Sequence, residues 1–211
     1  MSNGGLWSFL SKKTYTLNFD GSHNNQENKA GAGCIIRNSQ GELVIAAAYN
    51  LAKTYSDNCN VAIAEAEALK KGLILARQNN LSISLIKGDS KEVIDHVLGK
   101  SRIRAATSPF LIEIIQEIKR YIQLEKIEIE IEIVDREANK VADKLAHWGT
   151  NKLQPGAHLI CTSSVDLPSQ VVFISYIILF VYLYRRMVYT LYVCYWLTTF
   201  GVWFSRYGYR C

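Results

Sequence analysis

The sequence predicts an α/β fold, a mixed five-stranded sheet flanked by helices. Two observations predict it. Five strand-like and four helical runs follow the order β-β-β-α-β-α-α-β-α, which suits a mixed sheet with helices packed on it. The clearest strand, 126–134, alternates Ile127, Ile129, Ile131 and Ile133 with Glu128, Glu130 and Glu132. A period of two puts the isoleucines on one face and the glutamates on the other.

The first strand, 14–20, reads Thr14-Tyr15-Thr16-Leu17-Asn18-Phe19-Asp20. Strands 31–37 and 42–48 follow, joined by Asn38-Ser39-Gln40-Gly41, a hairpin turn. A helix over 60–78 ends near Asn79-Asn80. Strand 82–87 leads through Gly88 into a short helix, 90–98. Another helix spans 108–122, with Pro109 tolerated in its first turn. The isoleucine strand comes next, and a helix over 137–148 closes the series.

Residues 1–13 read as an N-terminal segment, without the basic start and apolar run of a secretory signal. The domain is expected over 14–150. Pro155, Gly156, Ser163, Ser164 and Pro168 mark 151–170 as a linker. From 171 to 211 the chain is a hydrophobic tail. Its uncharged runs, Val171–Tyr184 and Val188–Phe204, are each shorter than the ~20 residues that span a bilayer. Counting from Leu167 lengthens the first, so a membrane segment and a non-native extension both stay open.

The net charge of +5 is misleading as a whole-chain figure. The tail holds Arg185, Arg186, Arg206 and Arg210 and no acid. Setting those four aside leaves 20 of the 24 basic residues against 19 acidic ones. A nearly neutral body excludes binding to nucleic acid through a global field; local patches would have to supply it. The five cysteines are odd in number and lack metal-ligand spacing, so reduced thiols inside a cell are expected, in nucleus or cytoplasm.

Four acids stand in unusual settings. Asp20 ends the first strand, just before Gly21-Ser22. Glu65 falls on the helical stripe of Leu69, Gly72, Leu73 and Ala76, where an unpaired carboxylate is costly. Asp89 follows the fourth strand and could simply cap the helix that begins at Ser90. Asp143 lies early in the last helix, opposite Val141 and Leu145, and on pattern alone reads as a surface acid. Glu67, about 200° from Glu65 and followed by Lys70 and Lys71, reads as a solvated salt-bridge acid. His147, one turn after Asp143, reads as an exposed helix residue. Carboxylates without His or Cys partners suit hard cations such as Mg²⁺.

The motifs carry a resemblance. Asn18-Phe19-Asp20-Gly21-Ser22, Ala30-Gly31-Ala32-Gly33-Cys34-Ile35-Ile36-Arg37-Asn38-Ser39-Gln40-Gly41, Ala64-Glu65-Ala66-Glu67-Ala68-Leu69, Gly88-Asp89-Ser90-Lys91 and Arg136-Glu137-Ala138-Asn139-Lys140-Val141-Ala142-Asp143 appear in this order. Together they resemble the plant RNase H-like, reverse-transcriptase-like domain over roughly residues 14 to 150. The resemblance implies hydrolysis of the RNA strand of an RNA–DNA hybrid by a monomer. It implies that Asp20, Glu65, Asp89 and Asp143 hold two Mg²⁺ ions, with Mn²⁺ as a substitute. Ile133 stands where the family has a histidine, which implies slower turnover rather than different chemistry. A poorly active nucleic-acid-binding module, tethered to a membrane by the tail, is the alternative. Gly21, Ser22 and Ser90 beside the acids are weaker candidates for substrate contact. So are the basic residues Lys100, Arg102 and Arg104, as phosphate contacts.

Overall fold

The computed structural model describes residues 14–55, 59–101, 107–124, 128–162 and 167–168. Arg102, Arg104 and the tail lie outside them. The chain divides into two units, Met1–Val171 and Val172–Cys211, and every described residue belongs to the first. Among the described residues no helix is long and apolar enough to cross a membrane.

Among the described residues six strands form the sheet, not five. They are β1 (Tyr15–Asn24), β2 (Lys29–Arg37), β3 (Leu43–Asn50), β4 (Ile83–Gly88), β5 (Glu130–Ile133) and β6 (His158–Cys161). The helices are α1 (Ala52–Tyr55), α2 (Val61–Gln78), α3 (Lys91–Val97), α4 (Pro109–Leu124) and α5 (Lys140–Lys152). The sheet order is β5-β4-β1-β2-β3-β6. The sixth strand falls in the stretch read as a linker and pairs antiparallel with β3, Ala47 opposite Ile160. Proline and glycine mark a turn there: α5 runs on to Lys152 and the turn brings the chain back to the sheet. Asn50 fastens this corner, its side chain donating to the carbonyls of Gly149 and Leu153, each at 3.1 Å.

Side-chain hydrogen bonds set the two hairpins. Asn24 Oδ1 accepts from the backbone N–H of Gln26 and Glu27. Asn38 Oδ1 accepts from those of Gln40 and Glu42. These are Asx-type turns, in which a short polar side chain replaces a backbone partner. Gly41 in the second turn has φ 82°, a left-handed conformation that glycine adopts without steric cost.

β1 is the strand on which the arrangement turns. It runs parallel to β4, with Leu17 opposite Ile86, and antiparallel to β2, with Asp20 opposite Gly33. Leu17 and Phe19 point into the main core with residues of α2, α3 and α4. Asn18, Asp20 and Ser22 alternate onto the other face, toward α5. A side chain on Gly33 would overlap the α5 backbone at Ala142 and Ala146, so glycine there permits the close approach of the helix.

β5 is shorter than expected. Only Glu130–Ile133 joins the sheet, parallel to β4, and 125–127 lie outside the described residues. As an edge strand it buries its isoleucines incompletely: Ile129 and Ile131 are half-buried against the core, and Ile133 is 49% exposed. The glutamate face is solvated, and Glu132 pairs with Lys87 at 3.0 Å. Cys34, Cys59 and Cys161 are buried.

Candidate active site

The parallel strands β1 and β4 end on the same side of the sheet. In open α/β sheets that side, next to a change in strand direction, is where ligands bind. Asp20 does not end its strand but lies in the middle of β1, just past its last pair with β4, Asn18 opposite Lys87, and Asp89 directly follows β4. Glu65 reaches them from α2. A Cβ on Gly21 would overlap the α2 backbone at Ala64 and Glu65, so glycine at 21 lets the helix cross β1 at this point. Carboxylate oxygens of Asp20, Glu65 and Asp89 lie within 4.8 Å of one another.

Asp20 and Glu65 are buried, at 5% and 7% exposure. Burial pushes the Asp20 carboxyl well above the usual carboxylate range, and Glu65, Asp89 and Asp143 push it further. Burial also raises Glu65, followed by the charge of Asp89, against the opposing pull of the Gly21 N–H, Asp20 and Arg136. Without a cation Asp20 and Glu65 therefore hold their protons to higher pH than isolated acids do. Glu65 Oε2 is buried without a hydrogen-bond partner. A buried oxygen of that kind normally has a partner. An orphaned carboxylate oxygen among oxygen-only donors fits a hard divalent cation.

Asp143 is 8% exposed and not a surface acid. Its Oδ1 accepts from Arg136 Nη2 at 3.1 Å and lies 3.7 Å from His147 Nε2. It borders the cluster, close enough to raise Asp20, without joining the three converging acids. His147 is half-exposed, and its Nδ1 is 3.3 Å from the buried Ser22 Oγ. Ser90 occupies the cap position of α3 but makes no capping bond through its side chain. Asp89, the other candidate cap, faces the cluster instead. Lys100 is exposed in the loop after α3.

Glu67 departs from expectation. It is 1% exposed, not solvated. Tyr55 donates its hydroxyl to Glu67 Oε1, and Lys70 and Lys71 pair with the same carboxylate. The lysine pairing was readable from spacing. Its burial was not, because α1 and α4 cover that side of α2 through Tyr55, Phe110 and Glu117.

Sequence reasoning missed Asn139. It is 1% exposed and donates from Nδ2 to the Phe19 carbonyl at 2.7 Å and to Asp89 Oδ1 at 3.1 Å. The only sequence signal was an asparagine before a helix, an ordinary capping choice.

A family model described as reverse transcriptase-like matches residues 18–149. The chain belongs to that family. Three solved structures share the fold. RNase H1 from the halophilic archaeon Halobacterium salinarum NRC-1 superposes with a TM-score of 0.58 at 20% identity, covering 66% of this chain and 99% of that one. The N-terminal RNase H domain of a Mycobacterium tuberculosis protein gives 0.57 at 19%, covering 66% and 94%. LC11-RNase H1, isolated from compost by a metagenomic approach and solved with an RNA/DNA hybrid, gives 0.56 at 18%, covering 65% and 97%. No curated protein matches the chain.

Proposed function

We propose that this family member is an RNase H-type endonuclease that hydrolyses the RNA strand of RNA–DNA hybrids, with Mg²⁺ held by Asp20, Glu65, Asp89 and Asp143. The observation that carries the reading is the convergence of three carboxylates within 4.8 Å around an orphaned Glu65 oxygen. One structural relative, LC11-RNase H1, was solved in complex with an RNA/DNA hybrid, which supports the substrate class. The plant branch of the family is part of the same proposal and rests on the motifs alone.

Bound Mg²⁺ ions would supply an activated water and stabilise the departing 3′-oxygen. The chain's own residues do the rest. Asp20, Glu65 and Asp89 present oxygens from β1, α2 and the end of β4, and Asp20 and Glu65 give up the protons that burial lets them keep. Asp143 stands beside them with Arg136 on its carboxylate, as the fourth ligand once that contact yields. Gly21 lets α2 bring Glu65 against β1, and Ser22, Ser90 and Lys100 stay part of the proposal as weaker substrate contacts. Arg102 and Arg104 remain part of the proposal as phosphate contacts. Contacts to 2′-hydroxyls would distinguish RNA from DNA.

Two observations favour the alternative, a module that binds hybrid but turns it over slowly. Asp143 is engaged by Arg136, and the half-exposed Ile133 offers no proton or metal ligand. Cleavage of a strand-labelled RNA–DNA hybrid with and without Mg²⁺ decides between them. Metal-dependent cuts in the RNA strand support the nuclease; binding without cuts supports the module.

A further inference from the structure

Four polar groups, buried in the middle and partly buried at both ends, form a line from the sheet to the acidic cluster. Arg37 Nη1 donates to Asn18 Oδ1 at 3.1 Å, and Asn18 Nδ2 donates to Asn139 Oδ1 at 3.2 Å. Asn139 Nδ2 then donates to Asp89 Oδ1 at 3.1 Å and to the Phe19 carbonyl at 2.7 Å. Both ends of the line fix its direction. A guanidinium can only donate, and a carbonyl such as that of Phe19 can only accept. Neither amide can flip without setting donor against donor or acceptor against acceptor. Asn18 and Asn139 are both buried, so water cannot substitute for a lost bond.

Asn139 also gives up an ordinary role. It occupies the cap position of α5, where an asparagine side chain would normally accept from the first turn, yet it makes no such bond. Its amide is turned inward, and three of its four hydrogen-bonding positions are used on the sheet, Asn18 and Asp89. A residue needed only to start α5 would have capped it.

We infer that Asn139, oriented by Asn18 and Arg37, is the positioning residue that aims the Asp89 carboxylate into the cation site. The inference rests on the metal-site reading above. Outer partners of metal ligands fix ligand orientation, and their loss typically weakens metal binding about 10–100-fold. Asn139 touches both Asp89 and the backbone next to Asp20, so it holds two of the three converging acids in mutual register.

The test is Mg²⁺ affinity of the full chain by calorimetry, with the thermal midpoint in EDTA measured alongside. Asn139→Ala is expected to weaken Mg²⁺ binding about tenfold. Asn18→Ala leaves the contact to Asp89 in place but frees the amide to turn, and is expected to weaken binding by a smaller factor. Asn50→Ala is the control: it removes a buried asparagine at the other end of α5, away from the acids, and should lower the midpoint without changing Mg²⁺ affinity. Unchanged affinity in the Asn139 and Asn18 variants overturns the inference and leaves the metal site standing. An equal loss of affinity in the Asn50 variant also overturns it, because stability alone would then explain the effect. If Asn139→Ala does not fold, Asn18→Ala decides. Wild type that binds no Mg²⁺ defeats the metal-site reading itself, and the inference with it.

Discussion

Glu65 and Glu67, two residues apart on α2, are both buried, yet only Glu67 is neutralised. Tyr55, Lys70 and Lys71 surround the Glu67 carboxylate, whereas Glu65 faces two other acids and leaves one oxygen without a partner. The same residue type on one helix is thus paired within the fold at one position and left open at the other, where the proposed function places a cation.

Glu65→Gln should abolish Mg²⁺-dependent hybrid cleavage and leave the fold at least as stable in EDTA. Glu67→Gln should do the reverse. It strips the charge that neutralises Lys70 and Lys71 in a partly buried setting, and a loss of about 1–3 kcal/mol is expected, with activity kept at temperatures where the variant is folded. Hybrid cleavage and urea melts of both variants check this. Activity lost at Glu67 and kept at Glu65 would mean the helix has been read in the wrong register.

Asp20→Asn should eliminate cleavage while raising stability in EDTA. Asp20 is buried beside Glu65 and Asp89, so its ionised form is disfavoured by desolvation and by like charges. The amide keeps the shape and removes the repulsion. A lower thermal midpoint than wild type in EDTA would show that the carboxylate is stabilising the fold.

These raised carboxyls imply a pH dependence with a definite sign. Unfolded Asp and Glu lose their protons near pH 4. In the folded chain Asp20 is pushed up to about 10, by burial first and then by Glu65 and Asp89. Between those values the folded state binds more protons than the unfolded one, so this contribution to stability falls as pH rises. The advantage of Asp20→Asn over wild type in EDTA should therefore widen from pH 5 to pH 8. Mg²⁺ should reverse the trend, since its ligands must be deprotonated and binding releases protons. Melts in EDTA and in Mg²⁺ across that range are the measurement. A constant gap would mean that the cluster ionises freely.

Much of the frame was legible because it depends on local pattern. Leu17 and Phe19 alternate with Asp20's face, Asn38 and Gly41 announce their hairpin, and Glu65 sits on an apolar stripe. The illegible parts depend on partners distant in sequence. Nothing near Glu67 reveals that Tyr55 and α4 will cover it. Nothing in His158–Cys161 reveals that β3 has an unpaired edge to fill. Asn139 meets Asn18 and Asp89 only once the sheet and α5 are assembled, and Asp143 meets Arg136 across the turn that begins its helix. The four acids were found by their setting and order, whereas their mutual geometry, three together and one held aside by an arginine, is a property of the fold.

The sixth strand changes where the chain can be cut. A fragment ending at Thr150 stops inside α5, removes the Leu153 carbonyl that accepts from Asn50, and leaves β3 as an open edge without Leu159 and Ile160. An exposed edge strand invites pairing with other chains. A fragment ending at Val171 keeps all six strands, the whole of α5 and all four acids. The longer fragment should melt cooperatively and retain whatever cleavage activity the full chain has. The shorter one should melt several degrees lower and self-associate. Thermal melts and sedimentation of the two fragments make the comparison. Equal stability would show that β6 adds nothing to the sheet, whereas loss of folding in the longer fragment would show that residues after 171 contribute to the domain.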